Sequence, residues 1–324
     1  MTQHRRRQRR GALRYVLAGA AVIVAAAATI AVVRHERQDP PAASGPIPVR
    51  LPHGPQTYLG IYTTPSPNSY AGVTAFSKAT GVKPDVAMYY SSWFEPFRVS
   101  FARSAAAHGA VPLVQMEPSN VNLRAIAKGR YDAYLSAYAA AVARYKGPVI
   151  MGFGHEMNGS WYSWGHTRSA PAAFVAAWRH IVTLFRSFGA GNVTWLWTIN
   201  IIDRVHDAIP PPAPWWPGAK YVTWVGIDGY YLKAPWSFAP LFGPTIAAVR
   251  QLTHDPILIS ETGAAPVAGK PAKLANLFAG IRAYGLLGFV WFDAVGAHDW
   301  RLSSRDALAA YRRGARAYKS PASR

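Results

Sequence analysis

Eight short apolar segments, separated by amphipathic stretches, constrain this 324-residue chain more than any other feature. They are residues 57–63 (TYLGIYT), 84–90 (PDVAMYY), 110–116 (AVPLVQM), 147–153 (GPVIMGF), 192–198 (NVTWLWT), 221–227 (YVTWVGI), 256–260 (PILIS) and 287–292 (LGFVWF). Most are bounded by Gly or Pro and rich in β-branched or aromatic residues, the composition of buried strands. Between them lie alanine-rich segments with helical spacing, among them 131–145, 170–188, 274–284 and 305–318. Eight strands, each followed by a helix-like segment, over about 260 residues predict an α/β fold, the (β/α)₈ TIM barrel. An open doubly wound sheet is the alternative. The Gly-rich turn that would support a nucleotide site there is absent.

Six arginines precede an uncharged stretch of 19 residues, Tyr15 to Val33. A bilayer core needs about 20 residues, whereas the apolar region of a cleaved signal has about 7–15. Length favours a transmembrane signal anchor within residues 1–38 over a cleaved signal peptide. Either one exports the rest, because arginines stay on the cytoplasmic side. Residues 39–56 are Pro-rich and read as an extended linker. The barrel is expected over 57–318, with a disordered tail at 319–324. The protein is therefore expected outside the cytoplasm, as a monomer, membrane-anchored at the cell surface or secreted. Its net charge is +20. Beyond the N-terminal arginines the cations are scattered, with no long basic run. That distribution speaks against a nucleic-acid partner and suits anionic envelope surfaces. The chain has no cysteine, which excludes disulfides, thiolate metal sites and a thiol nucleophile.

In a barrel of this kind, chemistry sits at the C-terminal ends of the strands. The chain has five glutamates: Glu36, Glu95, Glu117, Glu156 and Glu261. Glu36 lies beside the apolar N-terminal stretch. The other four fall at or just after the ends of strands two, three, four and seven. Of twelve tryptophans, Trp93, Trp161, Trp164, Trp236 and Trp300 follow strand ends, and Trp215 and Trp216 lie in the loop after strand five. Indoles at a barrel mouth suit stacking on the apolar faces of pyranose rings.

The densest cluster is GFGHEMNGSWYSWG, residues 152–165. His155-Glu156 opens like the zinc motif H-E-x-x-H, but Gly159 stands where the second histidine is needed. The segment also follows a strand, whereas that motif needs a helix. No metal and no cofactor are expected. Two carboxylates at a sugar-binding mouth point to glycoside hydrolysis, one as a protonated acid and one as an anion. Desolvation by the surrounding aromatics raises the pKa of Glu156. Glu261, in ILISETG, is flanked by small residues that leave its face open. Strands four and seven can aim these two side chains into one cleft.

With GHEMNGSWYSWG, ISETG and GIDGYY in these places, the chain resembles glycoside hydrolase family 26 over about residues 57–300. The best-known members of that family are β-mannanases, retaining (β/α)₈ glycosidases with catalytic glutamates on strands four and seven. The resemblance implies that Glu156 is the acid/base and Glu261 the nucleophile. It implies that His155 shapes the site beside the acid/base and that Trp161 is a cleft aromatic. Tyr230 would hydrogen-bond the nucleophile, Asp228 would contact sugar or orient its neighbours, and Trp291 would floor the sugar at the cleavage point. Glu117, in QMEP, matches a family element in which Met116 is tryptophan. The implied substrate is a β-linked polysaccharide, of which β-1,4-mannan is the family's commonest. Mixed-linkage β-glucan and β-1,3-xylan remain open. A rival from another class is a non-catalytic, membrane-tethered carbohydrate-binding or envelope-assembly protein.

Overall fold

The computed structural model describes residues 51, 58–203, 209–265 and 267–319. The expected membrane segment lies outside the described residues, as does the expected linker apart from Leu51. Among the described residues no helix is long and apolar enough to cross a membrane.

The eight strands form one closed barrel, with all neighbours parallel and in chain order. They are β1 (Tyr58–Thr63), β2 (Val86–Ser92), β3 (Val111–Glu117), β4 (Val149–Phe153), β5 (Val193–Asn200), β6 (Trp224–Asp228), β7 (Ile257–Thr262) and β8 (Gly288–Asp293). The helices are α1 (Ala71–Thr80), α2 (Val99–Ala107), α3 (Leu123–Ala127), α4 (Asp132–Tyr145), α5 (Pro171–Ser187), α6 (Phe238–Arg250), α7 (Lys270–Ala283) and α8 (Arg305–Lys319).

One expectation needs correcting here. β5 is followed by 3₁₀ turns, Ala213–Trp215 and Ala219–Tyr221, and not by an α-helix among the described residues. The segment from 209 to 218, IPPPAPWWPG, explains this. Each proline lacks an amide donor and clashes with the preceding helical turn. The β3–β4 connection carries two helices, α3 and α4, instead.

The core has two compartments. Val86, Met88, Leu113, Ile150, Leu196, Trp224, Leu258 and Val290 fill the barrel. The larger compartment lies between barrel and helices, where Phe174, Trp178 and Phe185 of α5 meet Phe153 and Trp195 of the strands. Burying each such side chain contributes about 1.5–3 kcal/mol.

Towards the mouth the interior turns polar. Gln115 donates to Thr198 at 3.0 Å, and Ser260 donates to Asp228 at 2.5 Å. Two glycines make room for this layer. A Cβ on Gly152 would lie 2.0 Å from the Gln115 side-chain oxygen, and one on Gly226 would lie 2.4 Å from Ser260 Oγ. β7 shifts register against both neighbours just before its end. Such a bulge adds an unpaired residue and re-aims side chains. Consecutive residues Ser260 and Glu261 consequently both reach partners inside the mouth.

Candidate active site

Glu156 follows β4 with φ = 54°. That left-handed conformation is uncommon for a residue with a Cβ and stores strain unless its surroundings fix it. Here they do. The Glu156 amide donates to the Thr198 carbonyl at 3.0 Å, and its carbonyl accepts from the Gly159 amide at 2.8 Å. Its carboxylate accepts from Asn200 Nδ2 at 2.5 Å on one oxygen and from Trp161 Nε1 at 2.8 Å on the other. Asn158 in turn pins the end of β5: it accepts from the Asn200 amide and donates to the Asn200 carbonyl, both at 2.9 Å.

Glu261 is held in the same manner from the opposite wall. Tyr90 in the C-terminal half of β2 donates to one oxygen at 2.5 Å, and Tyr230 after β6 donates to the other at 2.8 Å. Both glutamates are buried. Burial raises the pKa of Glu156, and the Asn200 and Trp161 donors oppose that rise. Burial and then the charge of Glu156 push Glu261 up to about 8, against the two phenol donors. Two carboxylates that repel each other in this way titrate as a pair, with one proton shared across neutral pH.

The remaining expected residues fall around this pair. His155 is buried beside Tyr162, with its Nε2 3.0 Å from the phenol oxygen. Burial lowers its pKa to about 3, so it is a neutral ring. Asp228 sits fully buried at the end of β6, its Oδ1 on Ser260 and its Oδ2 without a hydrogen-bond partner among the described residues. Burial first, then the charges of Glu261 and Glu156, hold its pKa well above the ordinary carboxylate range. A proton on Asp228 avoids a second buried anion beside the pair. Trp161 is 43% exposed, so one indole both donates to Glu156 and presents surface at the mouth.

Trp291 does not take its expected place. It pairs in register with Ile61, and both side chains lie in the outer core between barrel and helices. It has no exposed surface, and its Nε1 donates to the Trp300 carbonyl at 3.1 Å. The aromatic wall beside Tyr230 is formed instead by Trp300, at 4.6 Å between ring centres, and Phe292, at 6.0 Å. The other tryptophans after strand ends also divide. Trp164 is buried, stacked on Tyr162 at 4.3 Å, with its Nε1 donating to the His155 carbonyl. Trp93 packs between Tyr134 and Phe153 in the core.

Two residues that hold the glutamates were not singled out from sequence: Tyr90 and Asn200. Asn200 ends β5 and Tyr90 lies two residues before the end of β2, so the strand-end rule that selected the glutamates reaches them when applied to every polar residue near a strand's C-terminus. Glu117, at the end of β3, is pushed up to about 7 by burial and then by the Glu95 charge. Glu95 itself is engaged by Arg98 at 3.2 Å and by the Ser92 amide.

Tyr90 offers a direct test of this geometry. A hydrogen bond to a charged group contributes about 1.5–3 kcal/mol, so any hydrolysis that uses Glu261 as an anion should fall about 10- to 100-fold in Tyr90→Phe. The ring is retained, and with it the edge contact to Tyr62 at 5.1 Å. Losing a donor to the carboxylate should also raise the pKa of Glu261. A pH profile of kcat/KM identical to that of the unmodified protein would remove Tyr90 from the site.

Residues 119–253 match the sequence model of glycosyl hydrolase family 26. Endoglucanase H of Acetivibrio thermocellus is 30% identical over 271 residues, covering 78% of this chain and 30% of that protein. Beta-1,3-xylanase TXYA of a Vibrio species is 28% identical over 111 residues, covering 34% of this chain and 22% of that protein. The chain thus spans less than a third of the length of these relatives. Among solved structures, the Bacillus subtilis mannanase BCman superposes with a TM-score of 0.59 at 18% identity, covering 80% of this chain and 85% of that one. At that identity the likeness shows a shared fold.

Proposed function

We propose that this chain, which carries a glycosyl hydrolase family 26 domain, hydrolyses a β-linked polysaccharide by double displacement with retention of configuration. The carrying observation is the pair of buried carboxylates Glu156 and Glu261, each with both oxygens held by donors from neighbouring strands and loops. Glu261 attacks the anomeric carbon while Glu156 delivers a proton to the leaving oxygen. Glu156 then takes a proton from the water that releases the sugar. The proton of the resting pair is assigned to Glu156. The donors to Glu261 are phenols, more acidic than the amide and indole that serve Glu156, and they favour an anion there.

β-1,4-Mannan is the first proposed substrate, cleaved within the chain. Mixed-linkage β-glucan is the second reading, favoured by the 30% identity to endoglucanase H across 78% of this chain. β-1,3-Xylan is the third reading, supported by the β-1,3-xylanase relatives matched over 34% of this chain. Mannose and glucose differ at C2 alone, so one hydrogen bond in the cleft decides between the first two. A panel of mannan, glucomannan, lichenan and β-1,3-xylan with reducing-end detection tests the proposal. Release from none of them, by folded protein, would leave the rival reading of a non-catalytic binding protein. The basic N-terminal segment and its apolar stretch support export, with the barrel outside the cytoplasm.

The mechanism fixes the pH dependence. The active form carries one proton on the pair. Below the lower step both carboxyls are neutral and no nucleophile exists. Above the upper step both are anions and no acid exists. Burial raises both carboxyls, so kcat/KM should follow a bell whose alkaline limb, the loss of the Glu156 proton, lies above the ordinary carboxylate range. An alkaline limb near pH 5 on a soluble oligosaccharide would contradict a shared proton.

A further inference from the structure

The excess positive charge of the barrel has no part in the chemistry above, and the fold concentrates it. Helices run opposite to strands in this barrel, so the last turns of the helices and the first residues of the strands share one face, the floor. Lys78 of α1, Arg144 of α4, Arg282 of α7 and Arg316 of α8 lie in those last turns, and all are exposed. Lys83 and Lys146, also exposed, follow α1 and α4 on the same face. The acids are placed otherwise. Glu95, Glu117, Glu156 and Glu261 all lie at the mouth. At the floor, among the described residues, the loops that start β2 and β7 carry Asp85 and Asp255, and Asp85 is paired with Lys319 at 2.8 Å.

Favourable contact with the helix dipole accounts for cations in last turns. It does not account for Lys83, which lies beyond the last turn of α1, nor for the scarcity of acids around the whole floor. A second observation concerns where the chain arrives. Leu51 is 8% exposed and joins the apolar cluster inside the barrel, and the Tyr58 amide donates to the Leu287 carbonyl just ahead of β8. The segment that precedes β1 therefore reaches the barrel at its floor. Residues 34–57 are all that separate this point from the uncharged stretch Tyr15 to Val33.

We propose that the floor of the barrel is a docking surface for an anionic lipid bilayer, which turns the mouth, with Glu156 and Glu261, away from the membrane. Each cation close to such a surface raises partitioning about fivefold, so a ring of six holds the orientation firmly. The proposal does not depend on which glycan is cleaved, nor on whether any is. An active site that opens outward meets polymers beyond the membrane and not those in its headgroup layer.

The cysteine-free sequence makes the test direct. The full chain is labelled with a fluorophore at Ala79→Cys on the floor or, separately, at Thr167→Cys near the mouth. It is then reconstituted into phosphatidylcholine vesicles, with and without phosphatidylglycerol, that carry a headgroup energy acceptor. Transfer from the floor label should be strong only in the anionic vesicles, and transfer from the mouth label weak in both. Combining Lys78→Glu, Lys83→Glu, Lys146→Glu and Arg282→Glu should return the floor signal to its neutral-lipid level, with the melting temperature checked in parallel. Salt at 1 M, which shortens screening to about 3 Å, should do the same to the otherwise unmodified protein. Equal transfer in both lipids, no transfer in either, or a signal indifferent to the reversal and to salt overturns the proposal. So does capture of a soluble polyanion by protein whose floor label ignores the vesicles.

Discussion

Replacing Glu261 by alanine should lower hydrolysis of the preferred glycan by about 10⁴-fold or more, because a covalent route loses its nucleophile altogether. Substrate binding should survive, since Tyr90, Tyr230, Trp161 and Trp300 remain in place. Adding azide or formate should restore turnover of an activated aryl glycoside, with the small anion occupying the vacated space. The rescued product should have inverted configuration, because one displacement replaces two. A Glu261→Ala protein that retains most of its activity would end the assignment. The conservative change Glu261→Gln carries a second, independent readout. In the folded protein the Glu156–Glu261 pair keeps its shared proton well above the ordinary 4.5, with Glu261 raised to about 8, so the unfolded chain gives up this proton first. The stability associated with the neutral carboxyl is complete below about pH 4.5 and is lost as pH rises through 8. The amide cannot ionise. The melting temperature of Glu261→Gln, measured against the unmodified protein, should therefore rise steadily between pH 5 and pH 9. The stability change comes from removing a buried charge, so it separates a functional carboxylate kept at a cost to the fold from a merely structural one.

The sequence shows the barrel because its strands are parallel and covered by helices on one side and by one another on the other. Such strands read as continuous apolar runs, and eight such runs are visible. The same property hides what each run does with its faces. In GFVWFD every position but the first and last is a large apolar residue, so alternation gives no sign of which residue faces inward. The resemblance puts Trp291 at the sugar, and alternation offers nothing against it; the structure sets it in register with Ile61, both in the outer core. Strand ends suffered a related error. The apolar run stops before the strand does, because the mouth end of the interior is polar. Glu117, Asn200 and Asp228 are the last residues of β3, β5 and β6, and Glu261 lies within β7, although each segment read from sequence stopped short of them. Glu156 and Glu261 stood out because glutamate is rare in this chain. Tyr90 and Asn200 did not, since tyrosine is abundant and a single asparagine carries no pattern. The bulge in β7 leaves no mark in sequence, yet it is what lets Ser260 serve Asp228 while Glu261 faces Tyr90.

Truncating Glu156 tests the other half of the mechanism through its dependence on the leaving group. A general acid contributes about 10²–10⁴-fold when the departing oxygen is a poor leaving group. Glu156→Ala should lose that amount on a natural glycan, whose leaving group is a sugar hydroxyl. A dinitrophenyl glycoside departs without protonation, so formation of the covalent intermediate should stay fast. Its breakdown still needs the base, and the intermediate should accumulate, visible as a burst of released phenol followed by slow turnover. The alkaline limb of the pH profile on that activated substrate should also vanish, because no acid remains to be lost. The nucleophile should respond as well. The charge of Glu156 is second only to burial among the influences that raise Glu261, so its removal should lower the Glu261 pKa and move the acid limb down. Asn200 and Trp161 would then hold no carboxylate, which makes Asn200→Ala an informative partner. Within one functional unit the double variant should be little worse than Glu156→Ala alone. Equal loss on natural and activated substrates, with no burst and both limbs unmoved, would place the acid elsewhere. Glu117, raised to about 7 on the neighbouring strand, would then be the next carboxyl to replace.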